Sequence, residues 1–197
     1  MDEEEQDRQW FNRAVAASRL PATSRAEQRF ATYRPRNESQ QKLLEAAEAF
    51  ARGELKPPLL LLYGTTGLGK THLAWAVGWE YIESGERVYY YQAEELLDDL
   101  RAATGDQRYD GKIKALRKVD LLIVDDLGAQ SDGTGWGVAK LDMLLDFRYR
   151  ERLPTIITTN TLEIPPRILD RFCEGTVVGV KGESYRKEKK HGEKTTE

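Results

Sequence analysis

The stretch Gly64–Thr71, GTTGLGKT, follows the apolar run Leu59–Tyr63 and precedes the helix-forming stretch His72–Tyr81. It is the pattern G-x-x-x-x-G-K-[ST] in the setting it needs: a buried strand, a glycine-rich turn, then a helix. The chemistry of such a loop is geometric. Gly64, Gly67 and Gly69 let the backbone curl tightly, so that loop N–H groups, through Thr65, Thr66 and Leu68 to His72, face phosphate oxygens. The positive end of the following helix adds to the attraction. Lys70 is placed to reach the β- and γ-phosphates, and the Thr71 hydroxyl to ligate Mg²⁺. The loop therefore predicts ATP as the ligand. A glycine-rich turn that fits the pattern by chance is the alternative.

A chain of 197 residues fits one α/β domain with a short appendage. Its 30 basic and 33 acidic side chains leave a formal charge of −3, so any nucleic-acid contact has to use a local patch. The single Cys173 excludes an intramolecular disulfide, and His72 and His191 alone do not make a zinc cluster. The start, MDEEEQD, is acidic where a signal peptide is basic and then apolar. No apolar run approaches the length of a membrane span. A cytoplasmic location is the expectation.

Residues 1–29 are polar and charged, with an amphipathic helix through Trp10, Phe11, Val15 and Leu20. Its aromatics are expected to dock either on the core or on another protein. An irregular lead-in, Arg29 to Gln40, leads to a helix capped by Asn37 or Ser39, running to Arg52 and ended by Gly53. From there the pattern alternates. Strand 59–63 is followed by helix 70–83, strand Val88–Tyr91, and a helix carrying Leu96, Leu97 and Leu100. A basic stretch leads to strand Leu121–Asp125, and then come helix 136–149, strand Thr155–Thr159, a short helix Arg167–Phe172 and strand Thr176–Val180. Short apolar strands separated by helices predict a parallel sheet covered on both faces. The charged end is expected to fray from about Lys187.

LLIVDD (Leu121–Asp126) is an apolar strand ending in two carboxylates, and ligands sit at the carboxyl ends of parallel strands. That puts Asp125 in reach of Mg²⁺ and makes Asp126 a general base for an attacking water. TIITTN (Thr155–Asn160) repeats the design, and Asn160 is either an ordinary turn asparagine or the group that orients the water and senses the γ-phosphate. In RILDRF, which follows Pro165-Pro166, Arg167 and Arg171 share one helical face. They read either as surface pairs with Asp170 or Glu174, or as a finger aimed at a neighbouring subunit's γ-phosphate. Lys112, Lys114, Arg117 and Lys118 either track a phosphate backbone or form a solvated helix face.

As a set, GTTGLGKTHLA, LLIVDDLGAQ, PTIITTN, the RILDRF arginines and the terminal ESYR resemble the AAA+ helicase loaders DnaC and DnaI, and equally the transposition helper ATPase IstB. The resemblance runs from about Phe30 to Arg186. It implies a three-layer α/β P-loop NTPase core of the ASCE class, with a five-stranded parallel sheet in the order 5-1-4-3-2 and no C-terminal helical lid. By position, Lys70 and Thr71 resemble the Walker A pair, within a nucleotide-binding loop of Gly64, Thr65, Thr66, Gly67, Leu68, Gly69 and His72. Asp125 and Asp126 resemble Walker B, with aspartate where many AAA+ proteins have glutamate. Asn160 resembles sensor 1, Arg171 the arginine finger, and Arg186 the arginine that stands in for sensor 2. The segment Phe30–Pro35 resembles the one that borders adenine.

The implied organisation is a docking segment (1–29), an ATPase domain (30–186) and a disordered tail (187–197). The implied function is an ATP- and Mg²⁺-dependent ATPase, a homo-oligomer with trans arginine fingers that loads a replicative hexameric helicase onto single-stranded DNA. A transposition helper on duplex DNA and a nucleotide-gated binding module with slow hydrolysis are the alternatives. One departure stands out: the loaders carry a larger N-terminal domain that grips the helicase, whereas here residues 1–29 precede the core.

Overall fold

The computed structural model describes residues 2–104, 107–128 and 135–185. The chain opens with α1 (Glu3–Ser18), α2 (Ser24–Glu27), a 3₁₀ turn (Phe30–Thr32) and α3 (Glu38–Ala51). The alternating part follows as β1 (Leu59–Gly64), α4 (Lys70–Glu83), β2 (Val88–Gln92), α5 (Ala93–Ala103), α6 (Gln107–Lys118) and β3 (Leu121–Asp125). It ends with α7 (Trp136–Arg150), β4 (Thr155–Thr159), α8 (Pro166–Cys173) and β5 (Thr176–Val180). All strand pairings are parallel, in the order β2-β3-β4-β1-β5, which is the expected 5-1-4-3-2 read from the other edge.

Alternation along the strands builds a core on each face. Leu60, Leu62, Ile123 and Ile156 pack with α3 and α4 through Leu43, Phe50, Leu73 and Trp79. Leu59, Leu61, Val124 and Ile157 pack on the opposite face with α5, α7 and α8 through Leu96, Leu144 and Phe172. Local signals set the ends of the elements. Asn37 caps α3 by accepting from the Gln40 N–H, Gly53 (φ +69°) follows its last turn, and Pro166 opens α8.

The aromatics of residues 1–29 dock on the core. Trp10, Phe11 and Val15 pack against the cluster that contains buried Ala14 and Leu20. Polar contacts add to this, with the Trp79 Nε1–H donating to Ser24 Oγ at 2.8 Å and Arg29 paired with Glu80 (2.8 Å) and Glu83 (2.6 Å). Among the described residues no helix is long and apolar enough to cross a membrane.

Candidate nucleotide-binding site

The carboxyl ends of β1, β3 and β4 open into a cavity of about 700 Å³. Its floor is the loop between β1 and α4. Gly64 (φ +139°) lies so close to β5 that a Cβ there would sit 2.1 Å from the Val180 carbonyl oxygen, and a Cβ on Gly69 (φ +91°) would strike the Tyr33 ring at 2.3 Å. Gly69 is also the N-cap of α4 and supplies no capping side chain, so the first N–H groups of the helix are left for a ligand. This backbone cradle fits a chain of phosphates.

Three strand ends are joined by one line of hydrogen bonds. Lys70 is nearly buried, and its Nζ donates to the carbonyls of Gly64 (2.6 Å) and Thr65 (3.0 Å) and to Asn160 Oδ1 (3.0 Å). The Asn160 amide in turn donates to Asp126 Oδ1 at 2.7 Å. Asp126 has φ +55°, a region aspartate tolerates, and its N–H donates to Thr158 Oγ1.

Asp125 is buried next to this line and accepts from three hydroxyls: Thr71 Oγ1 at 2.9 and 3.1 Å, Tyr90 at 2.8 Å, and Thr158. A carboxylate and an alcohol oxygen in contact are hard oxygen donors of the kind Mg²⁺ selects, so Thr71 and Asp125 fit that ion. Burial first, then the Asp125 charge, raises the Tyr90 phenol well above its ordinary value, which keeps it a permanent O–H donor.

The other end of the cavity is aromatic and basic, lined by Tyr33, Arg34, Arg36, His72 and Tyr185. Tyr33 donates to the Leu68 carbonyl at 3.0 Å and the Tyr185 N–H to the Gly67 carbonyl at 2.9 Å, so both grip the loop. Arg36 stacks on the Tyr185 ring at 4.1 Å. His72 Nε2 donates to the Arg29 carbonyl at 2.9 Å, and burial holds its imidazole below the ordinary value, against the pull of that carbonyl. His72 thus ties the lead-in segment to α4 as a neutral ring.

The model of the IstB-like ATP binding protein family matches residues 1–193. The chain belongs to that family. The IS232 putative ATP-binding protein of Bacillus thuringiensis subsp. berliner is 33% identical over 141 residues, covering 64% of this chain and 55% of its own length. The IS21 putative ATP-binding protein of Pseudomonas aeruginosa is 29% identical over 185 residues, covering 88% of this chain and 68% of its own. The crystal structure of the DnaC helicase loader superposes with a TM-score of 0.68 at 26% identity, over 81% of this chain and 100% of that one. The replication initiator DnaA bound to AMPPCP and single-stranded DNA gives a TM-score of 0.70 at 21% identity, over 79% and 50%, a likeness of fold. The chain spans about half the length, 55%, of the IS232 and IS5376 relatives it matches.

In this member of the IstB-like family, Thr66, Gly67, Gly69, Lys70, Thr71 and His72 of the loop converge with Asp125, Asp126 and Asn160 in one cavity, whereas Gly64 and Thr65 line a neighbouring one and Leu68 is buried. Arg171 does not line it. Its partners are Asp142 (2.6 Å) and Asp146 (2.8 Å) of α7 rather than Asp170 or Glu174, because α8 packs its arginine face against α7. Arg167 is largely exposed, 3.8 Å from Asp142. Arg186 and the tail lie outside the described residues. Of the basic stretch, Lys112 pairs with Asp99 at 2.9 Å and Arg117 stacks over Phe147, while Lys114 and Lys118 are exposed.

Tyr90 and Thr158 were not singled out by the sequence. Thr158 lies on β4 two residues before Asn160, which follows the strand end, and the period-2 alternation puts both on one side. Tyr90 reaches Asp125 through the β2–β3 register, Gln92 opposite Asp125, and that register is not written in either strand alone.

Proposed function

We propose that the chain is an ATPase of the AAA+ type that binds ATP–Mg²⁺ on the Gly64–Thr71 loop and acts as an oligomer with shared sites. The observation that carries this reading is the hydrogen-bonded line Lys70–Asn160–Asp126, which spans the ends of β1, β4 and β3 inside one cavity. Lys70, bonded only weakly to loop carbonyls compared with a phosphate dianion, exchanges them for the β- and γ-oxygens. Asn160 then stands between that charge and the Asp126 carboxylate, which orients a water and takes its proton. Thr71 and Asp125 would hold Mg²⁺, which would supply positive charge to neutralise the triphosphate. The remaining positive charge is supplied by Arg171 of an adjacent subunit.

The work we assign to this ATPase is remodelling a DNA-bound assembly in the cytoplasm, with loading of a replicative hexameric helicase onto single-stranded DNA as the specific form. The fold likeness to the DnaC helicase loader supports it. A second reading, a transposition helper acting on duplex DNA, is favoured by the insertion-sequence relatives. Competition between single-stranded and duplex DNA in the presence of ATP separates the two.

The primary test is Lys70→Ala. It should abolish binding of a fluorescent ATP analogue and ATP turnover while leaving the circular dichroism spectrum unchanged. Wild-type turnover in a folded Lys70→Ala protein would end the reading.

A further inference from the structure

The sheet face under α4 carries a hydroxyl that packing does not require. Tyr90 is 7% exposed and sits in the core cluster, edge-on to Trp75 with ring centroids 5.6 Å apart. A phenylalanine would fill the same space and keep that contact. The hydroxyl instead points at Asp125 Oδ2 from 2.8 Å, and Thr158 holds Oδ1 from the neighbouring strand. Asp125 is therefore gripped from β2 and β4 together, with Thr71 on the side of the loop.

We propose that Tyr90 is a positioning residue for the divalent cation, fixing the Asp125 carboxylate so that its oxygens stay turned toward Thr71. The inference rests on the nucleotide-site reading above and extends it to a residue outside the motifs. A carboxylate on a strand end has a soft second torsion, and two anchoring hydroxyls on opposite oxygens remove that freedom before a ligand arrives. The Thr71 hydroxyl can turn away to ligate a cation, whereas the Tyr90 and Thr158 bonds lie on the sheet side and persist. Partners of this kind change metal affinity about 10–100-fold when removed, without touching the metal themselves.

The experiment compares wild type with Tyr90→Phe and Thr158→Val. Mn²⁺ affinity in the presence of ADP is read by electron paramagnetic resonance, and affinity for a fluorescent ADP by titration in excess chelator. Tyr90→Phe should weaken Mn²⁺ binding by about 10-fold or more, and leave metal-free ADP binding within about twofold of wild type. Thr158→Val should do the same from the other oxygen, so the proposal stays testable if one variant folds poorly. Unchanged Mn²⁺ affinity in a folded Tyr90→Phe protein would overturn the proposal alone, as would an equal loss with and without metal. A wild-type protein whose ADP binding draws no Mn²⁺ would overturn the site reading and this inference together.

Discussion

Arg148 is fully buried, yet its guanidinium faces carbonyls rather than a carboxylate. Its Nη1 donates to the carbonyls of Leu116, Arg117 and Val119, its Nη2 to Pro154, and its Nε to Thr155 Oγ1. The end of α6 and the start of β4 are thereby tied to α7, and the last carbonyls of α6 gain partners they would otherwise lack. Burial pushes the guanidinium down to about 9, opposed by the Asp120 charge, so it stays charged at neutral pH. Arg148→Met would strand several buried acceptors and should cost about 3–5 kcal/mol in urea unfolding. Arg148→Lys offers three donors without the planar fork and should recover only part of that. Equal stability of the Met variant and wild type would show that the carbonyls find other partners. The sequence reads Arg148 as one more charge in RYRER, but it continues the stripe Leu141, Leu144, Leu145 at helical spacing. The position was legible as buried; the five acceptors were not, because they come from elements far along the chain.

The N-terminal arm, α1 through the 3₁₀ turn, is held mainly by charged and aromatic contacts. Arg19 stacks on Tyr91 at 4.2 Å and pairs with Asp99 at 2.7 Å, and Arg29 bridges to α4 while its carbonyl receives His72. Hydrogen bonds from Arg29, ahead of its charge and that of Arg25, hold the Glu83 carboxyl below its ordinary value, and burial holds His72 below its own. Both groups therefore have folded values under their unfolded ones. Each contributes stability that is complete above its unfolded pKa and falls as pH drops through the window beneath it. Stability should thus decline first below about pH 6.5, as His72 gains a proton, and again below about pH 4.5, as Glu83 does. Urea midpoints across this range should show both steps, and His72→Gln should lose the first while keeping the second. A wild-type profile without the first step would mean that His72 is not buried against the arm. Strands β3, β4 and β5 were legible to the residue, because each is a short apolar run closed by Asp, Asn or a charge. The destination of the arm was not, since Trp10 and Phe11 suit a core and a partner surface equally well.

At the scale of the whole molecule, the positive groups available to a triphosphate are unevenly placed. Lys70 stands at the phosphate end of the cavity, while Arg34 and Arg36 line the far end with Tyr33 and Tyr185. Arg171 lies on α8, with a side chain 16% exposed and fixed by two aspartates of α7. Motif order made Lys70, Asp125, Asp126 and Asn160 legible as one site because strand ends of a parallel sheet converge by topology. Nothing equivalent brings α8 to the same cavity, so any role for Arg171 in hydrolysis has to be played on a second copy of the chain. There it would exchange Asp142 and Asp146 for a phosphate, and the two carboxylates that hold it meanwhile keep the guanidinium pointed and pre-organised. Turnover per subunit should therefore rise with protein concentration in the wild type. In Arg171→Ala that rise should fall by about 10³-fold or more, the order expected of an arginine finger, with ATP binding to dilute protein unchanged. Asp142→Asn should differ in kind: it loosens the hold on Arg171 without removing the guanidinium, so it should weaken the concentration-dependent rate only in part. If Arg171→Ala retained the full concentration-dependent rate, the pairing with α7 would be its whole purpose and the trans-finger reading would fall.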